Sequence, residues 1–343
     1  MIFELNFSEE SLESIIERLS KKELPEWMNT HYDFLKSYNS FNEFEIETSG
    51  TTGSPKIILA TKAQMQLSAA GTLSFFKLNP GMTTMLCLSS NFIAGKMMLV
   101  RAIIGRLKIT LVEPTLTPSN FINTPIDFLP LIPAQAKELL TGEKRYFIKK
   151  LLIGGGQVDT SIESLLSHSS IEVYESFAMT ETLSHFAIKK INPQKQEYFT
   201  TLPGFKIEVT KNNELILVSN DLIAEKIITK DIIEIYDESH FKWLGRSDNL
   251  INSGGVKICP EQIEKKIKKI LPNKNFIIAG APSNKFGQEV VLIIEGDQID
   301  INQINFNNLD KYTVPKKTYF FPEFPRTQSG KIQRNKLIEQ IIF

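Results

Sequence analysis

The chain has 343 residues, 42% hydrophobic and 23% charged, the proportions of a globular protein with room for about two domains. Its 39 basic and 39 acidic residues cancel, so net charge gives no case for nucleic acid or a membrane as the main partner. Cys87 and Cys259 lie far apart in apolar or mixed surroundings and read as buried free thiols rather than as a disulfide framework or a metal site. Met1-Ile2-Phe3-Glu4 lacks the basic start and apolar core of a leader. Lys96 and Arg101 interrupt the best apolar run before it could span a membrane, so the expectation is a cytoplasmic protein. In chain order, residues 9–38 read as one or two helices, with Ser8 as N-cap and Leu12, Ile15, Ile16 and Leu19 at helical spacing.

Next comes Thr48-Ser49-Gly50-Thr51-Thr52-Gly53-Ser54-Pro55-Lys56, followed by the strand-like Ile57-Ile58-Leu59. Glycines let backbone N–H groups turn toward an anion, hydroxyls add donors, and lysine adds a point charge. The spacing is not that of a Walker A loop, and a solvated linker is the alternative. The string resembles the phosphate-binding signature of acyl-adenylate-forming (AMP-binding) enzymes. That resemblance makes Thr48, Ser49, Gly50, Thr51, Thr52, Gly53 and Lys56 nucleotide-binding residues and demands further motifs downstream.

Strand-like and helical stretches then alternate: strands at 84–88, 108–112, 128–131 and 147–153, helices at 62–77, 93–104, 135–140 and 162–166. Such alternation predicts an α/β domain with a largely parallel sheet. Gly154-Gly155-Gly156 closes one of these strands, where ligands settle in open α/β sheets; a tight turn would give the same string. In the family this segment borders the adenine, which implicates Gly155 and Gly156. Phe177-Ala178-Met179-Thr180-Glu181-Thr182 is similar to the family's Tyr-Gly-x-Thr-Glu. The resemblance implies that Phe177 stacks on adenine, Thr180 contacts phosphate and Glu181 helps hold Mg²⁺, for which a carboxylate is suited. Ala178 in place of glycine adds a methyl beside the acyl pocket that the family places there.

After about residue 200 the texture changes to short strands, and a β-rich subdomain is expected. Asp231 stands where the family has the ribose-binding Thr-Gly-Asp, with Lys230 in place of the glycine. Gly245-Arg246-Ser247-Asp248 and the downstream Gly254-Gly255 are similar to the segment that joins the family's large and small domains. Arg246 would reach the ribose, Asp248 would be the hinge, and Gly254-Gly255 would turn a loop into the active site. Pro260–Leu271 reads as a helix with proline in its first turn, and strands are expected at 276–281 and 290–295. Pro325–Ile332 resembles the family's Pro-x-Thr-x-x-Gly-Lys, making Lys331 the catalytic lysine.

The resemblance thus predicts a large α/β domain with a β-rich subdomain over residues 1–246, shortened at its start, and a small mobile α+β domain over 247–343. It implies an AMP-forming ligase acting on ATP, Mg²⁺, coenzyme A and a small carboxylic acid. Two strings, Asn91–Ala102 and Met179–His185, are similar to those of the family's 2-succinylbenzoate–CoA ligase branch. A substrate of that kind keeps a second carboxylate, which needs a cation or hydroxyl. Lys96, Arg101, Ser184 and His185 are the candidates, against snorkelling for the two cations and a structural role for the histidine.

Overall fold

The computed structural model describes residues 1–47, 57–142, 147–158, 160–166, 169–219, 222, 226–301, 304–326 and 332–342. The glycine-rich loop at 48–56 and Lys331 lie outside them. The described residues form two compact units, one drawn from 1–206 and 217–227, the other from 207–216 and 228–343.

The first unit is mixed α/β. In chain order it comprises β1 (Ile2–Asn6), α1 (Leu12–Ser20), α2 (Glu26–Ser40), β2 (Glu43–Glu47), β3 (Ile57–Thr61), α3 (Lys62–Phe76), β4 (Thr83–Leu86), α4 (Ile93–Ile104) and β5 (Lys108–Val112). There follow β6 (Ile126–Leu131), α5 (Pro133–Thr141), β7 (Ile148–Ile153), α6 (Thr160–Leu165), β8 (Glu172–Ala178), β9 (His185–Asn192) and β10 (Phe199–Thr201). The strand order is β1-β5-β4-β6-β7-β8-β9-β10. From β5 to β8 the neighbours run parallel, while β1, β9 and β10 add antiparallel edges. The middle strands are buried on both faces, as parallel strands between helices must be. Leu151, Leu152 and Ile153 of β7, for example, are all in the core.

The N-terminal region closes its side of this unit in a way that the alternating pattern does not announce. Residues 2–6 form a strand, β1, paired to β5. The first helix is capped by Ser11, whose Oγ accepts from the Ser14 N–H, and not by Ser8; Ser8 is tied instead to the Asn6 side chain. Strand β3 does not join the parallel sheet. It pairs antiparallel with β2 in a separate two-stranded ribbon, whose Phe44 stacks against Tyr38 of α2 at 5.9 Å.

The second unit carries all but end residues of β11 (Lys206–Val209), β12 (Glu214–Val218) and β13 (Ile227–Ile235), with β14 (His240–Arg246), ordered β14-β13-β12-β11. It continues with β15 (Ile251–Ser253), β16 (Val256–Ile258), α7 (Pro260–Lys268), β17 (Phe276–Ser283), β18 (Gly287–Glu295), β19 (Lys317–Phe321) and α8 (Arg334–Ile342). These later strands are ordered β16-β15-β18-β17, with β19 parallel to β18. Isoleucines 263 and 267 of α7 pack into their core. Cys87 is buried, but Cys259, the residue just ahead of α7, is only half-buried.

Candidate active site

Parallel strands deliver their C-terminal ends to one edge of a sheet, and several singled-out residues of the first unit lie there. The Gly154 N–H donates to the Leu131 carbonyl at 3.0 Å. A Cβ on Gly154 would sit 2.6 Å from Ser176 Oγ on the neighbouring β8, and Gly155 has φ +79°. Both features favour glycine. Phe177 and Ala178 end β8, with Phe177 edge-to-face against Phe186 and Phe199, each at 5.3 Å. Ala178 is exposed, so its methyl displaces no neighbour.

Thr180 and Glu181 lie in a single 3₁₀ turn spanning Thr180–Thr182, with Glu181 exposed. The turn is fixed from beneath by Thr182, which is fully buried and whose hydroxyl lies 2.7 Å from the Ser184 carbonyl. Threonine here bonds to carbonyls and does not cap a helix. Leu183 follows at φ +61°.

Beyond this turn the chain enters β9 at His185, and four side chains from three elements meet. Arg101 of α4 donates to Ser184 Oγ, Ser184 Oγ lies 3.2 Å from His185 Nδ1, and His185 Nε2 lies 3.1 Å from Thr72 Oγ1 of α3. Arg101 and His185 are 3% and 4% exposed. Burial and the adjacent Arg101 charge hold His185 well below the usual histidine range, so the ring is neutral.

Burial also lowers Arg101 to about 10, with no acidic group among the described residues acting on it. Its Nε–H has no partner among the described residues. A guanidinium removed from water without a counter-charge is costly; its place in the last turn of α4 offsets part of this through the helix dipole. Lys96 differs. It is half-buried, its pKa lowered by burial, with Glu47 of β2 acting in the opposite direction. The structure therefore brings Arg101, Ser184 and His185 together and leaves Lys96 apart from their hydrogen bonds.

In the second unit, Asp231 and Arg246 face each other across β13 and β14. Trp243 Nε1 donates to Asp231 Oδ1 at 2.9 Å, and Arg246 stands 3.8 Å from Oδ2. Arg246 instead grips Asp248 with two hydrogen bonds, at 3.0 and 2.7 Å, which raise its pKa further. Lys230, in place of the family glycine, pairs with Glu214 at 3.4 Å. Gly254 and Gly255 form the two-residue turn between β15 and β16, at φ +57° and +83°. Those are the signs that a type I′ hairpin requires.

Residues 46–221 match the family model described as AMP-binding enzyme, which is just over half the chain. The chain belongs to the AMP-binding enzyme family. Among its relatives within that family, the 2-succinylbenzoate–CoA ligase of Staphylococcus epidermidis is 30% identical over 324 residues, covering 84% of this chain and 68% of that one. A crystal structure of an acyl-CoA synthetase (AMP-forming)/AMP-acid ligase II-like protein from Dyadobacter fermentans matches over 99% of both chains, at 31% identity and a TM-score of 0.65. The Bacillus subtilis O-succinylbenzoate coenzyme A synthetase shares the fold, with a TM-score of 0.74 at 19% identity over 85% of this chain and 69% of that one. This AMP-binding enzyme is thus an AMP-forming acid–CoA ligase.

Sequence reading of the AMP-binding enzyme missed Thr72, Trp243 and His31. His31 of α2 is fully buried, its Nδ1 2.8 Å from the buried Ser90 Oγ just ahead of α4. None of the three lies in a motif, and their partners are 12 to 113 positions away.

Proposed function

We propose that this enzyme is a 2-succinylbenzoate–CoA ligase. Arg101 carries the reading: a buried guanidinium with an unpartnered Nε–H and no acidic neighbour among the described residues. An acid that spends one carboxylate in the reaction and keeps another would supply the missing charge and accept that donor. The S. epidermidis relative bears that activity in its name, and the B. subtilis structure is a complex with ATP and magnesium ion.

In the first half-reaction the acid's reacting carboxylate attacks the α-phosphorus of ATP, and the bond to pyrophosphate breaks, leaving an acyl-adenylate. In the second, the sulfur of coenzyme A attacks the acyl carbon and AMP departs. Gly155, Gly156 and Phe177 are assigned to the adenine, and Asp231 and Arg246 to the ribose. Thr180 and the 48–56 loop with Lys56 are assigned to the phosphates. Trp243 already occupies one oxygen of Asp231, which orients the carboxylate and leaves the other oxygen toward Arg246. Glu181 offers an exposed carboxylate of the hard-oxygen type that Mg²⁺ prefers; the ion would neutralise charge on the phosphates. Lys331 is assigned to stabilising the charge that builds at the α-phosphate. Rotation about Asp248 would withdraw it and present Gly254-Gly255 to coenzyme A.

The test is pyrophosphate release with 2-succinylbenzoate, benzoate or a fatty acid, with and without coenzyme A. Release with 2-succinylbenzoate alone, and thioester only when coenzyme A is present, is expected. Equal release with benzoate would keep the chemistry and discard the substrate.

A further inference from the structure

We infer that Thr72 and His185 are positioning residues for the acid's second carboxylate, acting through Ser184 on Arg101. The inference rests on the 2-succinylbenzoate reading and adds to it the groups that hold the cation in place.

Arg101 can only donate, so Ser184 Oγ accepts from it. The Ser184 hydroxyl hydrogen is then available to His185 Nδ1, 3.2 Å away. A neutral imidazole that accepts at Nδ1 carries its proton on Nε2, and Thr72 Oγ1 lies 3.1 Å from that nitrogen. Thr72 in turn lies 3.3 Å from the Ser68 carbonyl, one helical turn back in α3. Every hydrogen is used in one direction, from the guanidinium to a backbone carbonyl. The opposite tautomer makes Ser184 Oγ accept twice, strands its hydroxyl hydrogen among these groups, and takes the Thr72 hydrogen from Ser68. The one-way order aligns the dipoles with the Arg101 charge.

Neutral partners matter here. A carboxylate would fix Arg101 but cancel its charge. Serine, histidine and threonine fix one arm of the guanidinium and leave the charge and the Nε–H for an anion. Thr72 is 0% exposed, so its hydroxyl is no solvated surface group. The backbone contributes as well: Leu183, held in the left-handed region that a leucine seldom adopts, lies between the anchored Thr182 and Ser184.

Thr72→Val removes the hydroxyl at nearly constant shape, and Thr72→Ser retains it. The relay predicts that Thr72→Val raises KM for 2-succinylbenzoate about tenfold, the effect of one neutral hydrogen bond, with kcat and the KM for ATP little changed. Nitrogen NMR of the His185 ring should find the proton on Nε2 in the wild type and a mixture of tautomers in Thr72→Val. Thr72→Ser should restore both readouts. A wild-type KM in Thr72→Val, an equal rise in the KM for ATP, or a wild-type proton on Nδ1 would overturn the relay while leaving the substrate reading standing. A wild-type enzyme that does not prefer 2-succinylbenzoate to benzoate would overturn the substrate reading and this role with it.

Discussion

At the scale of single residues, the two cations of α4 show what a sequence can and cannot give. Lys96 and Arg101 both interrupt an apolar helix, and either could snorkel. Tertiary neighbours separate them, since Glu47 acts on Lys96 and no acid among the described residues acts on Arg101. Replacing Arg101 with glutamine should therefore weaken capture of the dicarboxylic acid by about 2 kcal/mol, the upper part of the range for a hydrogen bond to a charged group. That is roughly thirtyfold in KM; steady-state kinetics on 2-succinylbenzoate, with ATP as the control, check it. His31 gives a second prediction, in stability. Burial lowers its pKa from 6.5 to about 4, so the folded state holds a neutral ring where the unfolded chain would bind a proton. Its contribution is whole above pH 6.5 and is lost as the pH falls from there toward about 4, amounting to about 3 kcal/mol. His185, also shifted down, acts in the same direction. Asparagine at position 31 keeps a polar atom near the Nδ1 position and cannot titrate. Denaturant unfolding of His31→Asn should lose about 1.4 kcal/mol per pH unit from the slope across that window; an unchanged slope would contradict the assignment.

At the scale of elements, existence was more legible than partnership. The helix at 93–104 and the strand at 108–112 coincide with α4 and β5, because periodicity is a local property. Pairing is not local. Strand β3 reads like any other strand of the alternating series, yet it pairs with β2, whose alternation of Glu43, Glu45 and Glu47 with Phe44 and Ile46 gives one polar and one buried face. The glycine segment shows the same limit, since only the folded chain reveals which glycines are crowded. Gly95 in α4 is the tightest: a Cβ would lie 2.3 Å from the Ser89 carbonyl oxygen and 2.8 Å from the Ser90 nitrogen. Backbone must move to admit it, and the Ser90 loop held by His31 moves too. Gly95→Ala should cost about 3 kcal/mol, the upper end for overpacking. Gly154→Ala meets only the Ser176 hydroxyl, which can rotate away from its 3.2 Å bond to the Ile153 carbonyl, and should cost about 1 kcal/mol. Equal destabilisation of the two variants in denaturant unfolding would show that the Ser89–Ser90 backbone yields as easily as a side chain.

At the scale of the whole molecule, the family resemblance divides the chain at the Arg246–Ser247 junction, whereas the compact units assign residues 228–246 to the same unit as the C-terminal region. The physical reason lies in one bond that spans the proposed hinge and a second that holds Glu261 on its far side. Gln262 of α7 donates to the Leu244 carbonyl of β14, and Asn249 Nδ2 donates to Glu261 Oε1 at 2.6 Å. Glu261 is tucked beneath Gly245, where a Cβ would lie 2.4 Å from its carboxylate oxygen, and burial raises its pKa. No local pattern in the sequence announces such ties, because glutamine and asparagine at these positions read as ordinary surface residues. Rotation about Asp248 has to break the Gln262–Leu244 bond, so the ligand-free enzyme should open here as one block. Hydrogen exchange tests this directly: amides of β14 and α7 should share one opening free energy. In Gln262→Ala the two should part, with α7 exchanging about fivefold faster, the loss expected from one hydrogen bond of about 1 kcal/mol. Amides of β14 that already exchange independently of α7 in the wild type would instead place the working boundary at Asp248 before any substrate binds, and the tie across it would then be incidental to the rotation.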